Sequence, residues 1–237
     1  MASPCRRGTL SPIILIVKAW LTGNSLNVTS IHILDDDALL NVIYLYRPVL
    51  IDEHVDENAP LAEGWRWWYK LAQVCQRWRN LTLRSSSYLG LCLVCTYDTP
   101  VADKLAHSPP LPLIIDYSGY SHCVVAESSY LAAEEKRMIL ALKQRDRICR
   151  VRLSVPSPNL QKVVEIIDGE CPILEYLYLS PLVVDGTTFK LPERLQAPHL
   201  GHLVLNNFTL SIGSLLFTTT EDIVTFWFST WDPCTPL

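Results

Sequence analysis

Glycine is scarce in this chain of 237 residues, and its 9 copies are widely spaced. None of them forms a G-x-G pair or a P-loop, so glycine-rich cradles of these types for nucleotide phosphates are excluded. Charged residues are also few, at 19%, and the net charge is −4. Such a chain lacks the phosphate-neutralising face on which nucleic-acid binding depends. No apolar run approaches the ~20 residues that span a bilayer, so neither nucleic acid nor a membrane is predicted as a partner.

The 8 cysteines do not form a pattern typical of a metal site. The single C-x-x-C, Cys92–Cys95, lies in a run typical of a β-strand, where residues i and i+3 point to opposite faces. No second C-x-x-C completes a zinc site. Most of the cysteines lie in apolar runs, as buried thiols do. We therefore expect free cysteines, no metal and no other cofactor.

Residues 1–30 are predicted to be an N-terminal extension. Arg6 and Arg7 precede an apolar stretch at 12–21, an arrangement similar to a signal peptide. Lys18 interrupts this stretch, and no clear small-residue cleavage site follows it. The sequence therefore favours a cytoplasmic or nuclear protein over a secreted one.

Two amphipathic helices are predicted within residues 31–97. The first follows the acidic run 35–37, whose carboxylates favour a helix start, and ends before Pro48. The second is predicted as one continuous helix over 65–81. The acidic insert at 49–64 between them is interpreted as a solvated loop, although its carboxylates around His54 could also hold a metal. The apolar positions at helical spacing are Leu39, Val42, Ile43 and Tyr46 in the first helix, and Leu71, Val74, Cys75 and Trp78 in the second.

Residues 98–145 are predicted to connect this helical region to the C-terminal part. The apolar run 113–117 predicts a strand, and a helix is predicted over 126–146. On this helix Leu131, Met138, Ile139 and Leu142 are expected on one side, and Glu134, Glu135, Lys136 and Arg137 toward water.

A repeated pattern marks residues 146–237. The template L-x-x-L-x-L begins at residues 148, 174 and 200, and a weaker copy begins at 223. These spacings fall within the ~20–29 residues of leucine-rich repeats, in which each unit adds a strand to a stacked solenoid. Residues 159–168 have the helical spacing of a return helix. The last copy carries Phe226, Trp227 and Phe228 without a polar cap, so we expect this end to be buried in a partner or to continue in a longer chain.

The residues that alternate with the inward leucines are predicted to form a protein-binding surface. Arg, Tyr and Trp are the residue types enriched at binding hot spots. The alternative is that these side chains are only the exposed face of a sheet. The outward residues are Arg150, Arg152, Tyr176, Tyr178, His202, Val204, Thr225 and Trp227.

Candidate catalytic residues are few. The run Gly-Tyr-Ser-His-Cys at 119–123 is similar to the G-x-S-x-G nucleophile elbow, but Cys123 replaces its second glycine. His199 and His202 are spaced i, i+3 on a predicted strand and therefore point to opposite faces. The acidic pair 134–135 is placed on a solvated helix face. No catalytic residue is predicted, and the chain is not expected to be an enzyme.

The run 71–81, with its Val-Cys-x-x-Trp core, resembles the second half of an F-box, and the run 37–43 resembles its first helix. With the segment that follows, residues 31–237 are similar to a group of fungal F-box-like proteins with irregular leucine-rich tails. The resemblance implies an α/β (α+β) fold, in which a small helical F-box-like part precedes a short, irregular leucine-rich-repeat solenoid.

Members of this group are inferred to be substrate receptors of cullin–RING ubiquitin ligases. The resemblance implies two docking surfaces: F-box-like helices for a Skp-family adaptor and its cullin scaffold, and repeats for an unknown protein substrate. The substrate candidates are the eight outward residues above. The adaptor-facing candidates are Leu39, Leu40, Val42, Ile43, Leu71, Val74, Cys75 and Trp78.

Two departures from the F-box pattern favour an alternative function. The usual Leu-Pro-x-Glu opening is replaced by the segment 31–35, and the insert at 49–64 is longer than a typical F-box allows. The alternative is a non-catalytic protein-interaction scaffold that has lost adaptor binding.

Overall fold

A computed structural model describes the chain in six segments, which together contain two compact units. The helical unit lies within residues 1–52 and 67–90, and the sheet unit within 53–66 and 91–237. The N-terminal extension, residues 49–63 of the acidic insert and the motif at 119–123 lie outside the described residues. The described residues are 34–48, 64–118, 128–183, 186–211, 213–220 and 223–229.

The helical unit begins with the amphipathic helix that the sequence predicts. Asp35 caps α1, since its Oδ1 accepts the Ala38 N–H at 2.7 Å and satisfies one of the unpaired donors of the first turn. Leu39, Val42 and Ile43 are buried, as the helical spacing indicates. The helices of this unit are α1 Asp36–Tyr46, α2 Trp67–Ala72, α3 Gln76–Arg84 and α4 Ser86–Leu89.

The prediction of one continuous helix over 65–81 is wrong, because the chain breaks between α2 and α3. Cys75 has an extended backbone, with φ −160° and ψ 171°, and serves as the N-cap of α3. The Arg79 guanidinium donates to the Ala72 carbonyl oxygen at 2.9 Å and so satisfies an acceptor at the end of α2. The break separates the predicted stripe: Leu71 and Trp78 are buried, whereas Val74 and Cys75 are partly exposed.

The sheet unit contains a parallel sheet of six strands, whose order β1-β2-β3-β4-β6-β8 follows the chain. A separate pair, β5 and β7, is also parallel. The prediction of a strand at 113–117 is confirmed as β2. This sheet also includes β1, although the sequence placed residues 93–95 in the helical region. The strands are β1 Leu93–Cys95, β2 Leu113–Tyr117, β3 Ile148–Val155, β4 Tyr176–Pro181, β5 Phe189–Lys190, β6 His202–Asn206, β7 Phe208–Thr209 and β8 Thr225–Ser229.

The inner face of the sheet forms the main core. The inward leucines of the repeat template occupy adjacent register positions, for example Leu153 beside Leu179 and Leu179 beside Leu205. The predicted return helix is confirmed as α7, which buries Leu160 and Val163. The helices of this unit are α5 Val101–His107, α6 Ser128–Leu142, α7 Ser157–Ile166 and α8 Leu215–Thr219.

Helix α6 differs from the prediction in its end and in one of its faces. It ends at Leu142, and residues 145–147 form a short 3₁₀ helix instead of its last turn. Met138 and Leu142 are buried as predicted, but Glu134, expected in water, is also buried. Glu134 is held there because it accepts the Asp98 N–H at 3.3 Å and forms an ion pair with Arg137.

The described residues therefore form a mixed α/β structure with a parallel sheet and eight α-helices, which confirms the predicted fold class at this level. All five cysteines within the described segments are free, four of them buried. Cys92 and Cys95 belong to clusters on opposite faces of the sheet, which confirms the prediction that their sulfurs do not converge.

Candidate protein-binding face

The outer face of the sheet carries the predicted binding residues. In β4 and β6 buried residues alternate with partly exposed ones, so each strand presents one side chain in two to this face. Because the strands are parallel and in register, the outward residues line up across the sheet. The predicted pairs on each strand therefore form two continuous rows.

The first row connects aromatic rings through a guanidinium. Arg150 lies between two rings, with its Cζ 4.9 Å from the centroid of Trp65 and 5.9 Å from that of Tyr176. The Tyr176 ring in turn lies 6.1 Å from the His202 ring. Burial raises the pKa of Tyr176, so its hydroxyl stays protonated and can donate a hydrogen bond at neutral pH. In register order, this row is Ile114, Arg150, Tyr176, His202 and Thr225.

The second row contains a buried charge that the sequence analysis missed. Arg152 is on the outer face, as predicted, but it is only 4% exposed, so it does not present its side chain to a partner. It lies beside Asp116, which is also buried, and its Cζ is 5.6 Å from the centroid of the Tyr178 ring. Arg152 is therefore within cation–π distance of the Tyr178 ring. In register order, this row is Asp116, Arg152, Tyr178, Val204 and Trp227.

A third row of small polar side chains borders the two predicted rows. Asn206 donates from Nδ2 to the Ser180 hydroxyl at 3.2 Å, and its Oδ1 accepts from the Ser229 hydroxyl at 2.7 Å. Ser154 continues the row beside Ser180. This row was not predicted, because the repeat template ends one residue before it. The sequence pattern that could have predicted this row is the hydroxyl or amide residue that follows the last apolar position of each template copy.

Apolar packing covers the beginning of the outer face, at β1 and β2. Cys92, Val94, Ile114 and Cys149 form a small cluster against Trp65 and Ile173. Cys149 is the extra residue of a bulge in β3, and its thiol donates to the Leu113 carbonyl oxygen at 3.2 Å. Its hydrogen bond with Cys92 and its burial both raise the pKa of Cys149, so the thiol stays protonated and unreactive.

The outer face has no room for a small-molecule ligand at its centre. The recess there has a volume of about 10 Å³, the space of a single water molecule. Small-molecule sites are usually clefts of roughly 300–1,000 Å³. The recess is lined by Trp65, Ile114, Ile115, Asp116, Arg150, Arg152 and Tyr176.

The adaptor candidates of the helical unit are divided by burial. Leu40, Val74 and Cys75 are partly exposed and can contact a partner. The other five are buried and form the core of the chain itself: Leu39, Val42, Ile43, Leu71 and Trp78.

Three exposed apolar residues of the helical unit were missed by the sequence analysis. Tyr44, Leu45 and Tyr88 are exposed, and the rings of Tyr44 and Tyr88 lie 5.0 Å apart. Little in the sequence pattern predicts their role. Tyr44 and Leu45 lie between the core positions of α1, and Tyr88 lies outside both predicted helices. They add to the exposed apolar surface of the helical unit.

The remaining candidates for chemistry are not brought together. Among the described residues, no group of three or more His, Cys, Asp or Glu side chains could hold a metal ion. Glu135 forms an ion pair with Lys162, with Oε1 2.5 Å from Nζ, and so lies in a surface pair. His199 is exposed outside the strands, whereas His202 is in the first row.

Comparisons with known proteins leave the family of this chain open. No protein-family model, curated protein or solved structure matches it. In the part of the chain that the structure describes, no helix is long and apolar enough to cross a membrane.

Proposed function

We propose that the chain is a substrate-recognition subunit of a cullin–RING ubiquitin ligase. It binds a protein substrate on the outer face of the sheet and a Skp-family adaptor through the F-box-like helices. The observation that carries this proposal is the alignment of Arg150, Tyr176, His202, Tyr178 and Trp227 in two rows on one face. Aromatic and basic side chains held in register on a rigid sheet are typical of a protein-binding surface.

The order of the strands supports a repeat solenoid as the scaffold of this face. The strands follow one another in chain order, all parallel, and each copy of the template places its inward apolar residues in the same inner rows. A solenoid stacks its units in this way, and successive units create an extended surface for a partner. The sheet unit is thus a short, irregular leucine-rich-repeat solenoid in this proposal.

The helical unit supplies the proposed adaptor surface. Leu40, Val74 and Cys75 are the accessible members of the F-box-like set, and Tyr44 and Tyr88 extend the exposed apolar area. The chain itself carries out no covalent step. It raises the effective concentration of the substrate near the ligase, because adaptor and substrate are bound by one molecule.

The second candidate function is a protein-interaction scaffold that has lost adaptor binding. A specific observation favours it. Five of the eight adaptor candidates are buried in the chain itself, and the Leu-Pro-x-Glu opening is absent. A chain that keeps its helices only as a structural element would be a protein-interaction scaffold, with the same outer face as its binding surface.

Co-purification with a Skp-family adaptor distinguishes the two functions. The wild type should bind. The double variant Leu40→Asp, Val74→Asp should lose at least tenfold in affinity, because each new carboxylate would be buried in an apolar interface without a compensating charge or hydrogen bond. Asn41→Asp, Gln73→Asp is the matched control, since it adds the same two negative charges at exposed neighbouring positions. Trp78 is left unchanged because it is buried and its loss would destabilise the helices. Failure of the wild type to bind would leave the scaffold function.

The substrate surface is tested separately by the variant Tyr176→Ala, Tyr178→Ala. Both residues are on the outer face of the sheet unit, so adaptor binding should be unchanged. Proteins that co-purify with the wild type but not with this variant are the substrate candidates. In a reconstituted ligase their ubiquitylation should require Tyr176 and Tyr178. Equal modification by wild type and variant would show that the outer face is not the substrate surface.

A further inference from the structure

Strand β8 is the last strand of the sheet among the described residues. On one side it pairs with β6 from Thr225 to Ser229, and among the described residues no strand pairs with its other side. All five of its residues are exposed. Its unpaired main-chain groups are therefore available to another strand.

The neighbourhood of this edge is the main exposed apolar region of the described residues. Six of the ten exposed large apolar side chains lie between Leu215 and Phe228. Phe226 stacks with Phe228 at a centroid distance of 6.4 Å, and it lies 6.3 Å from Phe217 of α8. Phe226 and Phe228 continue the inner rows of Leu203 and Leu205, but they remain 48% and 39% exposed.

The edge also lacks the residues that usually prevent strands from pairing. Exposed edge strands commonly carry a charge or a proline for this purpose. The sequence of β8 is Thr-Phe-Trp-Phe-Ser, without a charge, a proline or a glycine. Within Thr225–Ser229, a second copy of the strand therefore meets no like charge.

The order of the residues in β8 is nearly symmetric about Trp227. A two-fold axis through Trp227 places Phe226 opposite Phe228 of the second copy, and Thr225 opposite Ser229. Each position thus meets a residue of its own kind: ring against ring and hydroxyl against hydroxyl. Cross-strand pairs of aromatic rings and of hydroxyl side chains stabilise antiparallel strands.

The hydrogen-bonding direction of β8 fits this register. The Ser229 carbonyl oxygen accepts the Asn207 N–H at 2.8 Å, so the main chain of Ser229 is directed toward β6. Since directions alternate along a strand, the N–H and C=O groups of Phe226 and Phe228 are directed to the open edge. Opposite each other in antiparallel strands, Phe226 and Phe228 exchange both hydrogen bonds, and Trp227 meets its copy in the closer, non-hydrogen-bonded pair.

We propose that β8 is a dimerisation strand, which pairs antiparallel with β8 of a second copy of this chain about a two-fold axis through Trp227. The two six-stranded sheets then join into one, and Phe217, Phe226 and Phe228 pack against their copies. This inference does not depend on the proposed function, because it concerns the end of the sheet and not the adaptor or substrate surfaces.

Sedimentation and light scattering over a range of concentrations test the dimer. The full chain should change from the monomer mass of 26.9 kDa to twice that value as the concentration rises. The variant Phe226→Lys, Phe228→Lys should raise the dimer dissociation constant at least a hundredfold. Leu45→Lys, Val183→Lys, at two exposed apolar positions outside residues 215–228, is the matched control and should leave it unchanged. A monomer at all concentrations, or equal effects of both variants, would overturn the proposal.

Disulfide trapping tests the register in a protein whose core is untouched. Trp227→Cys should form a disulfide-linked dimer on mild oxidation, because Cα atoms in such a pair lie ~4.5 Å apart, within the range of a disulfide. Thr225→Cys should not, since its copy is about four residues, or ~14 Å, away along the strand. Equal cross-linking of the two variants would overturn the two-fold register. Both are made in a background in which serine replaces Cys5, Cys75, Cys123 and Cys234, so that only the four buried cysteines remain.

Discussion

Asn207 has a backbone conformation that few residue types tolerate. It has a left-handed φ of 59°, it is buried, and it follows the last residue of β6. Its N–H donates to the Ser229 carbonyl oxygen, and its own carbonyl oxygen accepts the Phe189 N–H at 2.9 Å. One asparagine thus connects β6 to β8 and positions β5. A residue with a Cβ and no polar side chain is disfavoured in this conformation.

We expect Asn207→Ala to lower the free energy of unfolding by about 1–2 kcal/mol, from the strain of the left-handed backbone. Asn207→Gly should cost less, because glycine adopts a positive φ without strain. Both variants lose the amide side chain, so their difference isolates the backbone term. Urea unfolding followed by circular dichroism measures it. An alanine variant as stable as the glycine variant would show that the backbone of Asn207 is not strained.

Glu134 should make the stability of the sheet unit depend on pH. Burial raises the pKa of Glu134, while Arg137 and the Asp98 N–H oppose this shift. The native state then binds the proton more tightly than the unfolded state does. Stability must therefore fall as the pH rises from the ordinary glutamate pKa to the raised value.

The variant Glu134→Gln removes this titration, so its stability relative to the wild type should increase over that pH window and level off above it. Urea midpoints measured between about pH 4 and 8 cover the window. Glu135→Gln is the control, because it removes the same charge from the neighbouring position, which forms an ion pair with Lys162. A constant difference between wild type and Glu134→Gln across the range would contradict the expectation.

At the scale of elements, strands were easier to predict than helix ends. The repeat template specifies which residues are inward and at what spacing, and in parallel strands this also determines the register. The parts of the two outer rows that run from Arg150 and Arg152 to β8 could therefore be predicted from the sequence alone. The burial of Arg152 could not, because its neighbour Asp116 is on β2, which has no copy of the template.

The break between α2 and α3 was missed for a different physical reason. The apolar stripe continues through residues 73–75, and no glycine or proline marks the change of direction. Side-chain periodicity reports which residues are buried, whereas the break is stabilised by Arg79, whose guanidinium bonds to the end of α2. Hydrogen bonds of this kind, between the side chain of one helix and the main chain of another, leave no local pattern in a sequence.

This break predicts a stabilising substitution at Cys75. The residue is the N-cap of α3 with an extended backbone, but its side chain makes no capping hydrogen bond. Cys75→Asp should stabilise the helical unit by about 0.5–2 kcal/mol, because a carboxylate can accept an N–H of the first turn and interacts favourably with the helix dipole. Thermal unfolding measures the gain. Cys75→Ala, which cannot cap, should show none, and an equal gain in both variants would contradict the capping argument.

At the scale of the molecule, the strands of the sheet unit lie side by side in the order in which they occur along the chain. Each strand of the six-stranded sheet pairs only with its neighbours in the order β1-β2-β3-β4-β6-β8, and that order is also the order of the chain. In such an arrangement, stability is roughly a sum of unit and nearest-neighbour terms, so a defect acts mainly on the strands beside it. In a sheet whose spatial strand order differs from the chain order, the destabilisation would instead extend over strands that are distant in the sequence.

Two matched core substitutions at opposite ends of the sheet test this organisation. Ile115 in β2 and Leu205 in β6 are both fully buried on the inner face, and truncation of each to alanine should cost about 2–5 kcal/mol. Because the strands contact only their neighbours, Leu205→Ala should speed amide hydrogen exchange most in β4, β6 and β8. Ile115→Ala should speed it most in β1, β2 and β3. The two proteins are compared at one concentration, so that any pairing of β8 contributes equally. A uniform rise over all six strands in both variants would mean that the sheet opens as one cooperative unit, and the description as stacked repeats would then fail.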